Sequence, residues 1–245
     1  MKIAEQTKEI LKKFSWYEIL LILASIISVV VLSVIAKSSA LTIICSTFGI
    51  LYVGCLIVQL KTSSVLGVVY TALYIAQSAL YQNWGETITQ GVVVLPILIL
   101  TVINWFRHSE KGLTINAKEI GKKEWLILLS VGLVVGVGYY FLLGAFNTPY
   151  LILASFSGAF SVVANYLMMR KNIFMFLFFA LANVFILLIW LMPVIEGRGT
   201  SFETLPMLVV LSFFLISNLL GFINWHKAAK ALKKETAKEK EFEGK

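Results

Sequence analysis

The stretch Ile103-Asn104-Trp105-Phe106-Arg107 closes a long apolar run, and Ile223-Asn224-Trp225-His226-Lys227 closes another near the end of the chain. In both stretches an Asn-Trp pair separates the apolar run from a basic residue. Trp favours the interface between membrane and water, and Lys and Arg favour the cytoplasmic side of it. The two stretches therefore indicate membrane-spanning helices that end alike, and they predict an internal repeat.

Eight apolar runs are long enough to cross a bilayer, for which an α-helix needs about 20 residues. Hydrophobic residues make up 59% of the 245 residues and charged residues only 14%, which excludes an ordinary water-soluble domain. The predicted spans one to eight are Trp16–Ala36, Leu41–Leu60, Val65–Tyr81, Thr87–Phe106, Trp125–Phe146, Tyr150–Met169, Ile173–Met192 and Leu205–Trp225. The first run lacks a small-residue cleavage pattern at its end, so we expect it to stay in the protein as a helix. The sequence predicts an all-α integral membrane protein with eight transmembrane helices.

The basic residues give the orientation of these spans. All 21 Lys and Arg except Lys37 and Arg198 fall on one side when the eight spans are threaded in order. Lys and Arg resist translocation, so this side is the cytoplasmic one and both termini are predicted to be cytoplasmic. The net charge of +8 therefore indicates an inner membrane face and not a nucleic-acid partner.

The order of the spans predicts two parallel three-helix units, spans two to four and spans six to eight. Each unit has a long span, a short basic turn, a second span, a short outer loop and a third span that ends in Asn-Trp. Parallel copies of a three-span unit need a connecting helix, which span five supplies, and span one lies outside the repeat. This 1+3+1+3 plan is the SWEET-like arrangement, in which the binding site lies near the midplane between the repeats. The predicted segments are residues 1–40 (leader and additional helix), 41–106 (first unit), 107–149 (loop and connector helix), 150–227 (second unit) and 228–245 (cytoplasmic tail).

Charged residues are scarce inside the spans. Three glutamates fall near span ends: Glu18, Glu86 and Glu203. No Lys, Arg, Asp, Glu or His lies at the middle of any span. Because ion coupling usually needs a buried carboxylate, the sequence favours uncoupled transport of a neutral or weakly charged solute.

Amide side chains inside the spans are the candidate binding residues, above all Gln90, Asn183 and Asn218. An amide offers both a donor and an acceptor, which suits ribose hydroxyls or a carboxamide. The alternative is that these amides join helices to one another, at about 0.6 to 2 kcal/mol each. Gln90 and Asn218 both lie in the third span of a unit, which favours a binding role for these two. Further amides at depth are Gln59 and Gln77, and Asn165 and Tyr166 lie near the inner end of span six, where they are candidates to line an exit.

Aromatic residues crowd span seven, and most of them are expected to pack or to face lipid. Phe179 and Trp190 lie four residues before and seven residues after Asn183, so all three share one face of a helix. An aromatic ring on that face is suited to stacking on a planar base or a cation. We therefore expect Phe179, Asn183 and Trp190 to contact the solute.

Other conspicuous residues have structural explanations. Gly132 and Gly136 form a Gly-x-x-x-Gly pair that lets a neighbouring helix approach closely. Pro96 is equally compatible with a gating hinge and with a tolerated helix break. Cysteines and histidines are too few and too dispersed for a metal site, and no phosphate loop or nucleophile elbow occurs. The sequence predicts neither an enzyme nor a resident cofactor.

The residues resemble the PnuC family of bacterial vitamin transporters over roughly Leu41 to Lys227. In the second unit the matching pattern is Arg170-Lys171, then Asn183, Trp190 and Asn218-x-x-Gly221-x-x-x-Trp225. In the first unit it is Trp84-Gly85-Glu86 followed by Gln90. The resemblance implies a SWEET-like fold and substrate-binding roles for Gln90, Asn183, Trp190 and Asn218.

Two departures from the family pattern bear on the solute. Met175-Phe176-Leu177-Phe178-Phe179 stands where the family has Asn-Trp-x-x-Trp, and Ile99-Leu100-Thr101 stands where it has a Tyr-Gly-Trp stretch. The resemblance implies a facilitator in the bacterial cytoplasmic membrane that imports a nucleoside-like vitamin, with nicotinamide riboside first. It also implies trapping of the solute by a cytoplasmic kinase, and assembly as a homotrimer. The alternatives are transport of thiamine, riboflavin or deoxynucleosides, proton-coupled transport through Glu86 or Glu203, and a non-transporting membrane scaffold.

Overall fold

The structure, a computed structural model, describes residues 10, 12–80, 84–107, 115–196 and 204–243. Within these ranges it is all-helical, and eight helices are long and apolar enough to cross a membrane. They are α1 Trp16–Ile35, α2 Ala40–Ile57, α3 Thr62–Leu80, α4 (Trp84–Ile88, Thr89–Val94 and Leu95–Arg107), α5 Lys122–Ala145, α6 Leu151–Met169, α7 Met175–Ile195 and α8 Thr204–Glu243. The predicted all-α membrane fold with eight spans is confirmed. The residues His108, Arg198 and Glu203 lie outside the described residues.

The helices pack in an order that repeats. In the first unit α2 packs on α3 and α3 on α4, and in the second unit α6 packs on α7 and α7 on α8. Between the units, α2 packs on α8 and α4 on α6, so the first helix of each unit meets the third helix of the other. Helix α5 packs on α6, and α1 packs on α2 and α8. The packing order is compatible with the 1+3+1+3 arrangement, which stays a prediction.

Matching turns join the first two helices of each unit. Gln59, after α2, and Lys171, after α6, have φ angles of 62° and 60°. Left-handed backbone of this kind ends a helix abruptly and reverses the chain. The backbone oxygens of these two residues accept hydrogen bonds from the N–H groups of Ile115 and Lys118. The segment before α5 therefore ties both turns together, and Gln59 serves the turn and not a binding site.

The Asn-Trp pairs that follow the apolar parts of α4 and α8 form interhelical hydrogen bonds. Trp105 Nε1 donates to the backbone oxygen of Met168 in α6 at 3.2 Å, and Asn104 Nδ2 donates to that of Met169 at 2.7 Å. Asn224 Nδ2 instead donates to Glu18 Oε1 in α1 at 2.6 Å. Glu18 is buried, so this contact satisfies a carboxylate at the end of its span and fastens α1 to the second unit.

Small residues in α5 permit close contact with α6. A Cβ atom on Gly132 would lie 2.8 Å from Val163 Cγ2, and one on Gly136 would lie 3.3 Å from Ala159 Cβ. A Cβ atom on Gly138 would meet nothing within 4 Å. The Gly-x-x-x-Gly pair is therefore a packing feature, in agreement with the sequence interpretation.

Helix α4 contains a π-helical turn at Thr89–Val94, which ends two residues before Pro96. The N–H of Leu95 bonds to the backbone oxygen of Gln90, five residues earlier. Proline cannot donate to the oxygen four residues before it, so the regular α-helical ladder is interrupted at this point. Such π turns are frequent at functional sites, and here the turn carries Gln90.

Candidate solute-binding cavity

A cavity of about 100 Å³ lies between the two three-helix units. Its lining residues come from α2, α3 and α4 of the first unit and from α6, α7 and α8 of the second, and none comes from α1 or α5. The chemically informative lining residues are Tyr52, Tyr70, Thr71, Tyr74, Glu86, Gln90, Ser161, Asn165, Phe179, Asn183, Phe214 and Asn218. The cavity thus lies at the junction of the two predicted units, which is where the SWEET-like plan places a binding site.

Amides from four helices converge on this cavity. Gln90 comes from α4, Asn165 from α6, Asn183 from α7 and Asn218 from α8. Asn165, Asn183 and Asn218 are 4%, 9% and 4% exposed, so these polar groups are withdrawn from the lipid-facing surface. A group of buried amides around one cavity can donate to carbonyl oxygens and accept from hydroxyl groups of a solute. Gln77, by contrast, donates to Thr42 Oγ1 at 3.2 Å and does not line the cavity.

One wall of the cavity is aromatic. Tyr70 stacks on Tyr52 with ring centroids 6.1 Å apart, lies 5.9 Å from Tyr74, and meets Phe214 edge to face at 6.1 Å. Glycines in α2 and α3 make room for these rings, because a Cβ atom on Gly49 would lie 2.8 Å from Tyr70 Cε2. The rings give the cavity faces on which a planar solute can stack.

The sequence interpretation missed these tyrosines as site residues. Tyr52 and Tyr70 lie in the interior of their spans and not at the interface where Tyr usually collects. A tyrosine hydroxyl at that depth needs a polar partner or a cavity, and this is the signal that was present in the sequence. Tyr52 Oη donates to Met168 Sδ at 3.2 Å.

Glu86 also lines the cavity, so the cavity contains a carboxyl group, in contrast to the scarcity of charge from which the sequence favours uncoupled transport. Glu86, Gln90, Val94 and Leu98 lie four residues apart in α4, and all four face the cavity. In a regular α-helix each step of four residues overshoots one turn by about 40°, so three steps would turn the face by roughly 120°. The π turn has more residues per turn and offsets part of this rotation, which keeps Glu86 above Gln90.

Trp190 does not line the cavity, although Phe179 and Asn183 do. The last α7 residue that lines the cavity is Ile186. Trp190 lies one helical turn beyond Ile186, about 6 Å further along the axis. The cavity ends before it reaches this indole, and a contact of Trp190 with the solute stays a prediction.

Two other phenylalanines of α7, Phe176 and Phe178, pack against neighbouring helices. Phe176 is fully buried and meets Trp225 edge to face, with ring centroids 5.6 Å apart. Phe178 stacks on Trp125 of α5, with ring centroids 6.2 Å apart.

Tyr166, predicted near an exit, donates to Glu124 Oε1 at 2.9 Å, and Glu124 also accepts from Arg170 Nε at 2.7 Å. These contacts hold α5 against α6 at the end of the bundle that carries the basic turns.

The family model of the nicotinamide mononucleotide transporters matches residues 39–227, which is most of the chain. The chain belongs to the nicotinamide mononucleotide transporter family. The match begins just before α2 and leaves out α1, so it covers both three-helix units and the connector. Membership of a transporter family agrees with the sequence prediction that the chain is not an enzyme, and it disfavours the scaffold alternative.

Two similar proteins carry the related name PnuC. The nicotinamide riboside transporter PnuC of Neisseria mucosa is 23% identical over 169 residues, which are 67% of this chain and 63% of that protein. The chain thus aligns with less than two thirds of that relative. The crystal structure of the vitamin B3 transporter PnuC matches with a TM-score of 0.75 at 22% identity, over 89% of this chain and 94% of that one. The PnuC resemblance is confirmed, and the shared fold with it.

Proposed function

We propose that this member of the nicotinamide mononucleotide transporter family imports an unphosphorylated nucleoside-like vitamin, with nicotinamide riboside as the first candidate. The solute binds in the cavity between the two units and is exposed alternately to each side of the membrane. The observation that carries the proposal is the convergence of Gln90, Asn183 and Asn218 with Phe179 on one cavity. Amides suit the carboxamide and the ribose hydroxyls, and the ring suits the planar base.

The charge of the cavity favours the riboside over the phosphorylated mononucleotide. No Lys, Arg or His is among the residues that line it in the described part of the chain, and Glu86 is. A phosphate group is normally held by Arg, Lys or a helix N-terminus. Glu86 repels a phosphate, so a phosphorylated product is excluded from the path. Phosphorylation in the cytoplasm by a separate kinase then traps the imported solute.

Transport requires the helices to move. The cavity of about 100 Å³ is smaller than the roughly 300 Å³ at which ligand pockets of drug-sized molecules begin. A nucleoside therefore enters only when the two units separate on one side. We propose that α4 bends during this movement, at the point before Pro96 where its α-helical hydrogen bonds are interrupted next to Gln90.

The setting we propose is the bacterial cytoplasmic membrane, with both termini in the cytoplasm and a homotrimeric assembly. The support for the orientation is the distribution of Lys and Arg, which leaves only Lys37 and Arg198 on the outer side. Reactivity of single cysteines placed before α1 and after α8 towards a membrane-impermeant reagent tests it. Labelling in intact cells contradicts the orientation.

The solute is tested with purified protein in a thermal-shift panel of nicotinamide riboside, nicotinamide mononucleotide, thiamine, riboflavin and a deoxynucleoside. A ligand at 100 times its dissociation constant stabilises the protein by about 2.7 kcal/mol. We expect a shift with the riboside and none with the mononucleotide. The vitamin assignment fails if no member of the panel shifts the unfolding temperature.

Proton-coupled import is a second candidate, and one observation favours it. Glu86 lines the cavity, so a carboxylate is available where a coupled mechanism needs one. Uptake into liposomes with and without an imposed proton gradient separates the two candidates. A facilitator equilibrates the riboside at the same rate in both conditions, whereas a coupled transporter accumulates it only with the gradient.

A further inference from the structure

We infer that Glu86 selects for solutes whose aromatic ring carries a permanent positive charge. This inference rests on the proposed function and narrows its substrate class to monocationic, N-substituted heteroaromatic compounds. Glu86 is the one acidic residue among the described residues that line the cavity, and no basic residue accompanies it there. The cavity therefore offers its solute one carboxyl group and no competing cation.

The surroundings of Glu86 leave the charge to be balanced by the solute. Gln90 Nε2 approaches Glu86 Oε2 at 3.4 Å, a long hydrogen bond to a neutral group. The residues that face the cavity from α3 are Tyr70, Thr71 and Tyr74, which are also neutral. A carboxylate away from bulk water is costly unless a cation pairs with it. A cationic solute supplies that partner when it binds, and no basic side chain among the described lining residues competes with it for Glu86.

The aromatic wall next to Glu86 attracts the same class of solute. Tyr70, Tyr74 and Phe214 form a cluster with centroid distances of about 6 Å. A cation over the face of an aromatic ring within about 6 Å is stabilised by the ring quadrupole, most strongly where water is excluded. A carboxylate and aromatic faces in one small cavity therefore favour a flat cation over a flat neutral ring.

This criterion divides the candidate solutes by their chemistry. Nicotinamide riboside carries a positive charge on the ring nitrogen that bears the ribose, and thiamine carries one on its thiazolium ring. Riboflavin and the deoxynucleosides carry no such charge. Glu86 thus favours the first two compounds and disfavours the others, independently of their size.

The test compares nicotinamide riboside with its dihydro form, which is neutral but keeps the ribose and the carboxamide. Competition binding to the purified protein gives the ratio of the two dissociation constants. We expect the wild type to prefer the cationic riboside by about tenfold or more, since an ion pair in a cavity sheltered from water is worth at least that factor. In Glu86→Gln the preference falls to about twofold or less, because the riboside loses affinity and the dihydro form does not.

Glu196→Gln is the matched control, because Glu196 accepts a hydrogen bond from Tyr150 at an exposed position and does not line the cavity. It keeps the wild-type ratio. An unchanged ratio of the two dissociation constants in Glu86→Gln overturns the inference. A ratio near one in the wild type also overturns it, and this second measurement remains available if the Glu86→Gln protein does not fold. Failure of the wild type to bind either form overturns the proposed function itself, which is a different result.

Discussion

Trp225 donates its indole N–H to the backbone oxygen of Leu56 at 2.9 Å, which joins the last helix of the second unit to the first helix of the first. The bond from Trp105 to Met168 joins the last helix of the first unit to the first helix of the second. Both indoles are fully buried. The two units thus hold each other through reciprocal contacts at the ends of α2 and α6, as expected of a repeat with pseudo-twofold symmetry.

Loss of either indole hydrogen bond destabilises the protein. Trp225→Phe keeps an aromatic ring but removes the donor, while the Leu56 oxygen still accepts from the N–H of Gln59. The cost is therefore that of one lost hydrogen bond, about 0.5 to 1.5 kcal/mol. For a chain of this size each kcal/mol lowers the unfolding temperature by about 2 to 4 °C. Thermal unfolding in detergent measures the change, and we expect a similar loss for Trp105→Phe.

Trp16→Phe is the control for these two variants, because Trp16 is 76% exposed and its ring lies at the start of α1. Its unfolding temperature stays within a degree or so of the wild type, since surface substitutions usually change stability by less than about 0.5 kcal/mol. Equal unfolding temperatures for all three variants would show that the indole hydrogen bonds do not hold the units together.

A methyl group on Gly221 destabilises α8 against α7. A Cβ atom there would lie 2.3 Å from Phe176 Cε1, and Phe176 is itself packed on Trp225. Overpacking of this kind costs about 1 to 3 kcal/mol, so Gly221→Ala lowers the unfolding temperature by several degrees. Gly138→Ala is the control, because a Cβ atom there meets nothing within 4 Å and Ala is the better helix former. A stable Gly221→Ala protein contradicts the described packing.

Variants of Phe179 and Trp190 distinguish the site seen in the structure from the site predicted from the sequence, which includes both residues. Phe179 lines the cavity and Trp190 lies a turn beyond its end. Phe179→Ala therefore weakens riboside binding by about three- to tenfold, the loss of one aromatic stacking contact. Trp190→Phe changes it by less than about twofold. Titration calorimetry on both variants checks this, and a larger loss in Trp190→Phe would restore the family-based assignment of the indole.

Much of the fold was predictable because the bilayer fixes the length of an apolar helix. The predicted span Tyr150–Met169 and the observed α6, Leu151–Met169, differ by one residue. The site amides were predictable for a related reason, since Asn183 and Asn218 are costly in lipid unless they face a cavity or a partner. The repeated Asn-Trp pair indicated which helices are equivalent.

Two features of the cavity cannot be predicted by projecting the sequence onto a regular α-helix. The sequence places Glu86 near a span end but not on the cavity wall, because the π turn that brings it there together with Gln90 has no simple sequence signature. Trp190 was placed in the site because a helical stripe gives the face of a residue but not the depth at which a cavity ends. The tyrosine wall depends on glycines of the neighbouring helix, and such a contact across helices is not visible in one segment.

The central claim, that the solute binds between the two units, is tested most directly by calorimetric titration of nicotinamide riboside into wild type, Asn183→Ala and Gln77→Ala. Asn183 lines the cavity, whereas Gln77 is an amide in another spanning helix that bonds to Thr42 and does not line the cavity. The account predicts at least about tenfold weaker binding for Asn183→Ala, since a solute group loses its buried partner, and wild-type affinity for Gln77→Ala. Equal affinity in all three proteins would contradict it.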